Sequence, residues 1–253
     1  MPQSLVAGFW GLLAGSALLL GAGVGYFTRV PQRLVAAIMA FGAGVLISAL
    51  AFDLMDEAYH RGGFVSAAAG FIGGSIVYTA ANLLLTRVHR GAKHRKRSGD
   101  RQPTESDHPG SGLAIAVGAL LDGIPESIVI GVSLLGGGKV SLVAVVAVFL
   151  SNVPEGLSSS AGMRTAHRSA RYVFSVWGGI ALISGFAALL GYLVFAHASA
   201  NVIAATTATA AGAILTMLSD TMIPEAFEVA HDFTGIISVV GFLVAFVLTK
   251  LGG

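Results

Sequence analysis

The chain of 253 residues contains no cysteine and very few charged side chains. Without cysteine it can form neither a disulfide framework nor a metal site with thiolate ligands. Charged residues make up 11% of the chain, whereas an average soluble domain has about 25%. Hydrophobic residues reach 55%, and the 34 glycines allow helices to pack closely inside a lipid bilayer. This composition excludes an ordinary soluble domain and predicts an all-α polytopic membrane protein.

Eight apolar stretches are long enough to cross about 30 Å of hydrocarbon as helices, and we assign residues 1–253 to a single transmembrane domain. The N-terminal stretch lacks the basic start of a signal peptide and is longer than a signal core, so we expect it to be the first transmembrane helix. The polar residues 87–111 predict a flexible loop. The predicted helices cover residues 4–27, 34–55, 64–86, 112–135, 140–163, 172–196, 201–222 and 234–250.

Lysine and arginine are unevenly distributed between the two sides of the predicted bundle. The loops after the first, third, fifth and seventh helices carry twelve of these residues, and the other side carries only Arg61, Lys139 and Lys250. Because cytoplasmic loops are enriched in Lys and Arg, this bias places residues 87–111 in the cytoplasm and both termini outside the cell membrane. The basic clusters therefore indicate topology, and we expect no nucleic-acid partner.

An internal similarity links the second and seventh predicted helices. Residues 43–58 align without gaps to residues 211–226, with five identical positions out of sixteen. The two helices run in opposite directions in the predicted topology. An inverted repeat of three helices on either side of a central pair, a 3+2+3 bundle, is the architecture expected of a secondary transporter. Chance similarity between two helices rich in Ala, Gly and Leu is the alternative.

Two short polar stretches lie within the fourth and fifth predicted helices. Residues 122–126 read DGIPE, and residues 151–155 read SNVPE. The proline of each stretch removes a backbone N–H and obstructs hydrogen bonding by the carbonyl four residues earlier, that of Leu121 or Leu150. We therefore predict that both helices are broken, and broken helices mark binding sites in helical transporters.

The polar side chains of these stretches supply oxygen ligands: Asp122, Glu126, Ser151, Asn152 and Glu155. A charge at the bilayer centre costs about 2.5–3.5 kcal/mol on insertion scales. All fifteen Lys and Arg residues lie in loops or at helix ends, so these carboxylates need a cation or protons rather than a salt bridge. We predict a cation site at the membrane midplane; the alternative is protonated carboxyl groups that only join helices.

Two further acidic residues lie near the ends of predicted helices. Asp53 is near the outer end of the second helix, and Asp220 is near the inner end of the seventh. Together with the central carboxylates they form a graded acidic path from the outer mouth to the inner mouth. The alternative is that both are ordinary solvated residues at helix ends.

The paired Pro-Glu motifs resemble those of the ZIP (Zrt/Irt-like) divalent metal transporters. The sequence MIPE at residues 222–225 resembles the Ile-Pro-Glu element that closes the seventh helix in the prokaryotic, GufA-like branch. The resemblance covers essentially the whole chain. It implies eight transmembrane helices in a 3+2+3 inverted repeat, termini outside, a variable cytoplasmic loop after the third helix, and a homodimer.

The chain departs from the family pattern at the imidazole ligands. Asp122 and Ser151 stand where the family has histidine, Gly123 stands at an asparagine position, and Asn152 stands where the family has an acid or amide. The sixth helix also lacks the family's carboxylate in residues 184–189. Imidazole suits zinc, copper, iron and nickel, whereas carboxylate and carbonyl oxygens suit magnesium, calcium and manganese. We therefore predict one central site with a broadened or shifted selectivity, towards manganese or iron(II), at which zinc can still bind through carboxylates.

These features predict a transporter that moves zinc, iron(II) or manganese into the cytoplasm, with the metal ion as substrate and no resident cofactor. Glu126 and Glu155 are the predicted essential ligands. A proton-coupled carrier of another solute and a non-transporting metal sensor are the alternatives. We expect no enzymatic activity, because residues 158–160 are serines but no histidine or lysine lies at membrane depth to activate them.

Overall fold

The computed structural model describes residues 2–88, 111–136 and 139–252, and all regular secondary structure in these ranges is helical. This confirms the predicted all-α class. The predicted loop 87–111 lies mostly outside the described residues. The α-helices of the described ranges are α1 Gln3–Phe27, α2 Gln32–Ala49, α3 Met55–Val88, α4 Ser111–Ser133, α5 Leu142–Thr165, α6 Ala170–Phe195, α7 Ala200–Met217, α8 Ile223–Ala230 and α9 Thr234–Gly252.

The starts of several helices follow from local sequence. Ser141, Ser169 and Ser199 precede α5, α6 and α7, and each hydroxyl accepts a hydrogen bond from the backbone N–H three residues later. This satisfies one of the N–H groups that a helix leaves without a partner in its first turn. Pro2 and Pro31 precede α1 and α2, where the missing proline N–H costs no helical hydrogen bond.

The described chain has five helical stretches that are long and apolar enough to cross a membrane. Large aliphatic and aromatic side chains are exposed on their outer faces, such as Phe9 on α1, Phe64 on α3 and Val239 on α9. Such a surface fits a helical bundle in a lipid bilayer, where these faces contact hydrocarbon. The five stretches are Gln3–Phe27, Gln32–Leu84, Leu142–Thr165, Ala170–Phe195 and Ala200–Leu251.

The helices pack around α4 and α5. Helix α5 lies against α1 and α2, α4 lies against α6 and α7, α3 packs along α7, and α2 packs along α9. Glycines bring some of these helices into backbone contact. Gly44 of α2 lies against the backbone of Ser238 in α9, and Gly212 of α7 lies against that of Phe71 in α3, so a Cβ atom at either glycine would overlap the neighbouring chain.

Two π-helical turns interrupt the long helices. The first, Leu50–Leu54, joins α2 to α3, and the second, Leu218–Met222, joins α7 to α8. Adding 168 to the bounds of the first turn gives the bounds of the second, and 168 is also the offset between residues 43–58 and 211–226. The same offset relates buried apolar side chains of the main core: Leu46 and Ile214, Leu50 and Leu218, and Leu54 and Met222.

A backbone break follows each π turn at the same offset. Gly63 within α3 has a φ of 70°, and His231 at the end of α8 has a φ of 45°. Glycine adopts positive φ without steric cost, whereas histidine does so less readily. The short helical segments before these breaks, the start of α3 and the whole of α8, were not among the predicted helices. Helix α8 is favoured locally by Pro224 and Glu225 in its first turn.

The predicted breaks at Pro125 and Pro154 are wrong. Helices α4 and α5 both run through their prolines as continuous α-helix. A proline removes one helical hydrogen bond, and neighbouring helices can keep the two halves of a membrane helix in line. The irregular backbone lies instead in the π turns and at Gly63 and His231.

Candidate metal site

The two carboxylates of α4 lie in the interior of the bundle. Asp122 is 3% exposed and Glu126 is 2% exposed. They are four residues apart and therefore share one face of the helix. Glu126 lines a cavity of about 10 Å³, close to the volume that one water molecule requires. The other walls of this cavity come from α2, α5, α7 and the first π turn: Leu46, Ala49, Leu50, Leu54, Ala144, Ala147, Val148 and Ile214, with Val129 of α4.

Asp122 is held by a tyrosine that the sequence reasoning missed. The hydroxyl of Tyr78, on α3, donates a hydrogen bond of 2.6 Å to Oδ1 of Asp122. Tyr78 is itself only 3% exposed. A distance of 2.6 Å lies at the short end of the range for O–H···O hydrogen bonds. The available signal was the polar pair Tyr78 and Asn82, one helical turn apart in a predicted helix, 64–86, that has no charged residue.

Helix α5 contributes a second set of oxygen atoms. Ser151 and Asn152 are both 4% exposed, and Glu155 is half-buried one turn later. The Ser151 hydroxyl donates to the carbonyl of Val148 at 2.9 Å, which leaves the hydroxyl oxygen able to accept or to bind a cation. The amide nitrogen of Asn152 donates to the carbonyl of Ala14 at 3.1 Å and is therefore directed at α1.

Three consecutive serines follow the predicted motif on α5. Ser158, Ser159 and Ser160 are buried, and none of their hydroxyls has a hydrogen-bond partner among the described residues. Buried hydroxyl groups normally have a partner, so these three are unusual. Ser151, Glu155 and Ser159 are spaced four residues apart and share a helix face. The sequence showed these serines, but only as candidate nucleophiles.

The acidic residues predicted at the two mouths both lie in π turns. Asp53 is half-buried and accepts a hydrogen bond of 2.6 Å at Oδ2 from the hydroxyl of Ser141. It lines a cavity of about 1120 Å³ that also contains Lys139 and the ion pair between Glu57 and Arg61, whose charged atoms are 2.7 Å apart.

Asp220 differs from Asp53 in its environment. It lies in the second π turn, Leu218–Met222, and its side chain is exposed. This exposure fits a residue at the mouth of a path and equally an ordinary solvated acid.

The predicted ligands fall into two groups, one on each central helix. Within residues 2–88, 111–136 and 139–252, no three His, Asp or Glu side chains lie close enough together to share one metal ion. Ser151 and Asn152 add a hydroxyl oxygen and an amide oxygen to these carboxylates. Oxygen atoms buried in an apolar bundle attract a hard divalent cation, because ligand attraction replaces the hydration that the ion loses.

Comparisons with known proteins do not assign a family. No known protein family has a sequence model that matches this chain, and no curated protein is significantly similar to it. The similarity of residues 122–126 and 151–155 to ZIP motifs therefore stays a prediction from those residues, and the chemistry of the site depends on the geometry of α3, α4 and α5.

Proposed function

We propose that this protein is a membrane transporter of divalent metal cations, of the ZIP type. The observation that carries the proposal is the burial of Asp122 and Glu126 inside an apolar helical bundle. An isolated buried carboxylate is strongly unfavourable, so such groups are paired, protonated or bound to a cation. No Lys or Arg lies in the apolar core of a predicted span, which leaves a cation or a proton as the compensating charge.

The spacing of the two π turns supports a 3+2+3 inverted repeat around α4 and α5. In this arrangement α1 and α2 correspond to α6 and α7, and α3 corresponds to α8 and α9 together. Each half brings one helix against the central pair in the same way, α1 against α5 and α6 against α4. Transporters built from inverted repeats bind substrate between the halves, near the bilayer midplane. The eight crossings are then α1 to α7 and α9, with both termini outside.

The proposed path runs from the cavity at Asp53 to the central oxygens and out past Asp220. Glu126 and Glu155 are the essential ligands, and Asp122, Ser151 and Asn152 supply further oxygens that tune the selectivity of the site. Because the side-chain ligands are all oxygen atoms, the site favours manganese more than a histidine-containing site does. When the site is open to the cytoplasm, protonation of its carboxylates weakens metal binding and releases the ion.

Metal uptake into proteoliposomes tests this function. Glu126→Gln and Glu155→Gln each keep the size of the side chain but remove its charge. We expect each to lower manganese uptake by at least about tenfold, since even residues that support metal ligands contribute about 10–100-fold. Glu228→Gln, at an exposed position on α8, is the matched control and retains uptake.

Two results contradict the proposal. Wild-type rates of metal uptake in Glu126→Gln and Glu155→Gln exclude these carboxylates as essential ligands. Proton flux that does not depend on metal but is lost in the same variants identifies a proton-coupled carrier of another solute instead.

A further inference from the structure

The contact between Tyr78 and Asp122 joins two helices at the proposed metal site. The two residues are 44 positions apart in the sequence, on α3 and α4, and both are 3% exposed. The tyrosine hydroxyl is the donor, and Oδ1 of Asp122 is the acceptor at 2.6 Å. Because an ionised carboxylate has only acceptor sites, this bond uses one of the same lone pairs that a metal ion uses.

The surroundings of Tyr78 keep its hydroxyl in place. Its ring belongs to the main apolar core and lines an almost entirely apolar crevice of about 210 Å³ between α3, α4 and α7. Leu121 and Pro125, on either side of Asp122 along α4, line the same crevice. In apolar surroundings a hydrogen bond is electrostatically stronger than in water, and no water replaces the tyrosine hydroxyl when the bond breaks, so breaking the bond to Oδ1 has a cost.

The number of carboxylate oxygens that can bind an ion affects which ion is preferred. Calcium takes about 6–8 oxygen ligands at about 2.3–2.6 Å and readily binds both oxygens of one carboxylate. Smaller divalent ions take fewer ligands at shorter distances and therefore need fewer carboxylate oxygens. We propose that Tyr78 is a specificity-determining residue: its hydrogen bond occupies one acceptor site of Asp122 Oδ1, which disfavours binding of an ion through both oxygens of Asp122 and thereby disfavours calcium relative to manganese. This inference rests on the proposed transport function.

Tyr78→Phe tests the inference because it keeps the ring and removes only the donor. The measurement is the ratio of calcium to manganese uptake, with each radioactive ion supplied alone to proteoliposomes. We expect the ratio to rise roughly three- to tenfold, the range that corresponds to one such hydrogen bond. Tyr26→Phe is the matched control. The Tyr26 hydroxyl donates to the carbonyl of Arg168 at 2.9 Å, away from the carboxylates, so its removal leaves the ratio unchanged.

A second variant decides the question if Tyr78→Phe does not fold. Incorporation of 3-fluorotyrosine at position 78 keeps the ring and the hydroxyl but makes the hydroxyl a stronger donor, so the calcium-to-manganese ratio falls. If the wild-type protein transports manganese and the ratio is the same in every folded variant at position 78, the inference is overturned while the transport function stands. If the wild-type protein carries no divalent metal, the transport function fails and the inference fails with it.

Discussion

Buried serine hydroxyl groups on α4 and α5 differ in whether they form a hydrogen bond. Ser127 is 2% exposed, and its hydroxyl donates to the carbonyl of Gly123 at 2.7 Å. Ser160 is 0% exposed and has no hydrogen-bond partner in the described part of the chain. Leaving a buried polar group without a partner costs about 1–3 kcal/mol. The two serines are therefore expected to respond differently to removal of the hydroxyl.

Replacing Ser160 with alanine is expected to stabilise the protein by about 1 kcal/mol, because it removes an uncompensated hydroxyl and leaves only a small void. Ser127→Ala, the control, loses a formed hydrogen bond and is expected to be neutral or destabilised by about 1 kcal/mol. Thermal unfolding midpoints in the same detergent compare the two variants with the wild type. A lower midpoint for Ser160→Ala than for Ser127→Ala contradicts this account.

Individual site residues were predictable to different degrees. Asp122 and Glu126 are recognisable in the sequence, because a carboxylate within an apolar stretch is costly and therefore conspicuous. Tyr78 was missed, because a tyrosine in a membrane helix is common and its partner lies 44 residues away. The hydrogen bond from the Asn152 amide to Ala14 could not be predicted from the sequence either, because it depends on how α1 crosses α5.

Adjacent glycines on α3 show how helix packing selects residues at the scale of an element. Gly74 lies against the backbone of Thr209 in α7. At Gly73, by contrast, no neighbouring atom lies within 4 Å of the position that a Cβ would take. Only Gly74 is therefore required for the close approach of α3 to α7. Gly73 is expected to tolerate any residue that suits a helix.

Gly74→Ala is expected to destabilise the protein by about 1–3 kcal/mol, because the methyl group forces α3 away from α7. Gly73→Ala is expected to be neutral or to stabilise the protein by up to about 1 kcal/mol, since alanine favours a helix more than glycine does. Both variants are compared with the wild type by thermal unfolding in detergent. Equal effects of the two substitutions rule out a specific packing role for Gly74.

The helices themselves were more predictable than their irregularities. The predicted range 4–27 differs from α1, Gln3–Phe27, by one residue at its start, because apolar length marks a membrane helix directly. The π turns were not predicted, since one extra residue in a helix leaves no mark in composition. The predicted breaks at the prolines were wrong because neighbouring helices, which the local sequence does not show, support the backbone there.

At the scale of the whole molecule, the proposed topology places the loop before α5 outside and the end of α5 inside. The absence of cysteine makes this topology testable, because a single introduced cysteine is labelled without background from other thiols of the chain. Lys139 and Thr165 are exposed on either side of α5. In intact cells, an impermeant maleimide is expected to label Lys139→Cys, and to label Thr165→Cys only after the membrane is opened. Labelling in the reverse order indicates the opposite orientation.

The two π turns change the direction in which the side chains that follow them point around the helix axis. An α-helix advances about 100° per residue, so one additional residue rotates everything that follows by about that angle. A helical wheel drawn continuously from α2 into α3, or from α7 into α8, therefore assigns the later residues to the wrong face. Asp53 and Asp220 lie at these two changes of phase. Counted forward from the helix before the turn, each aspartate falls on one helix face. Counted backward from the helix after the turn, it falls on a different face.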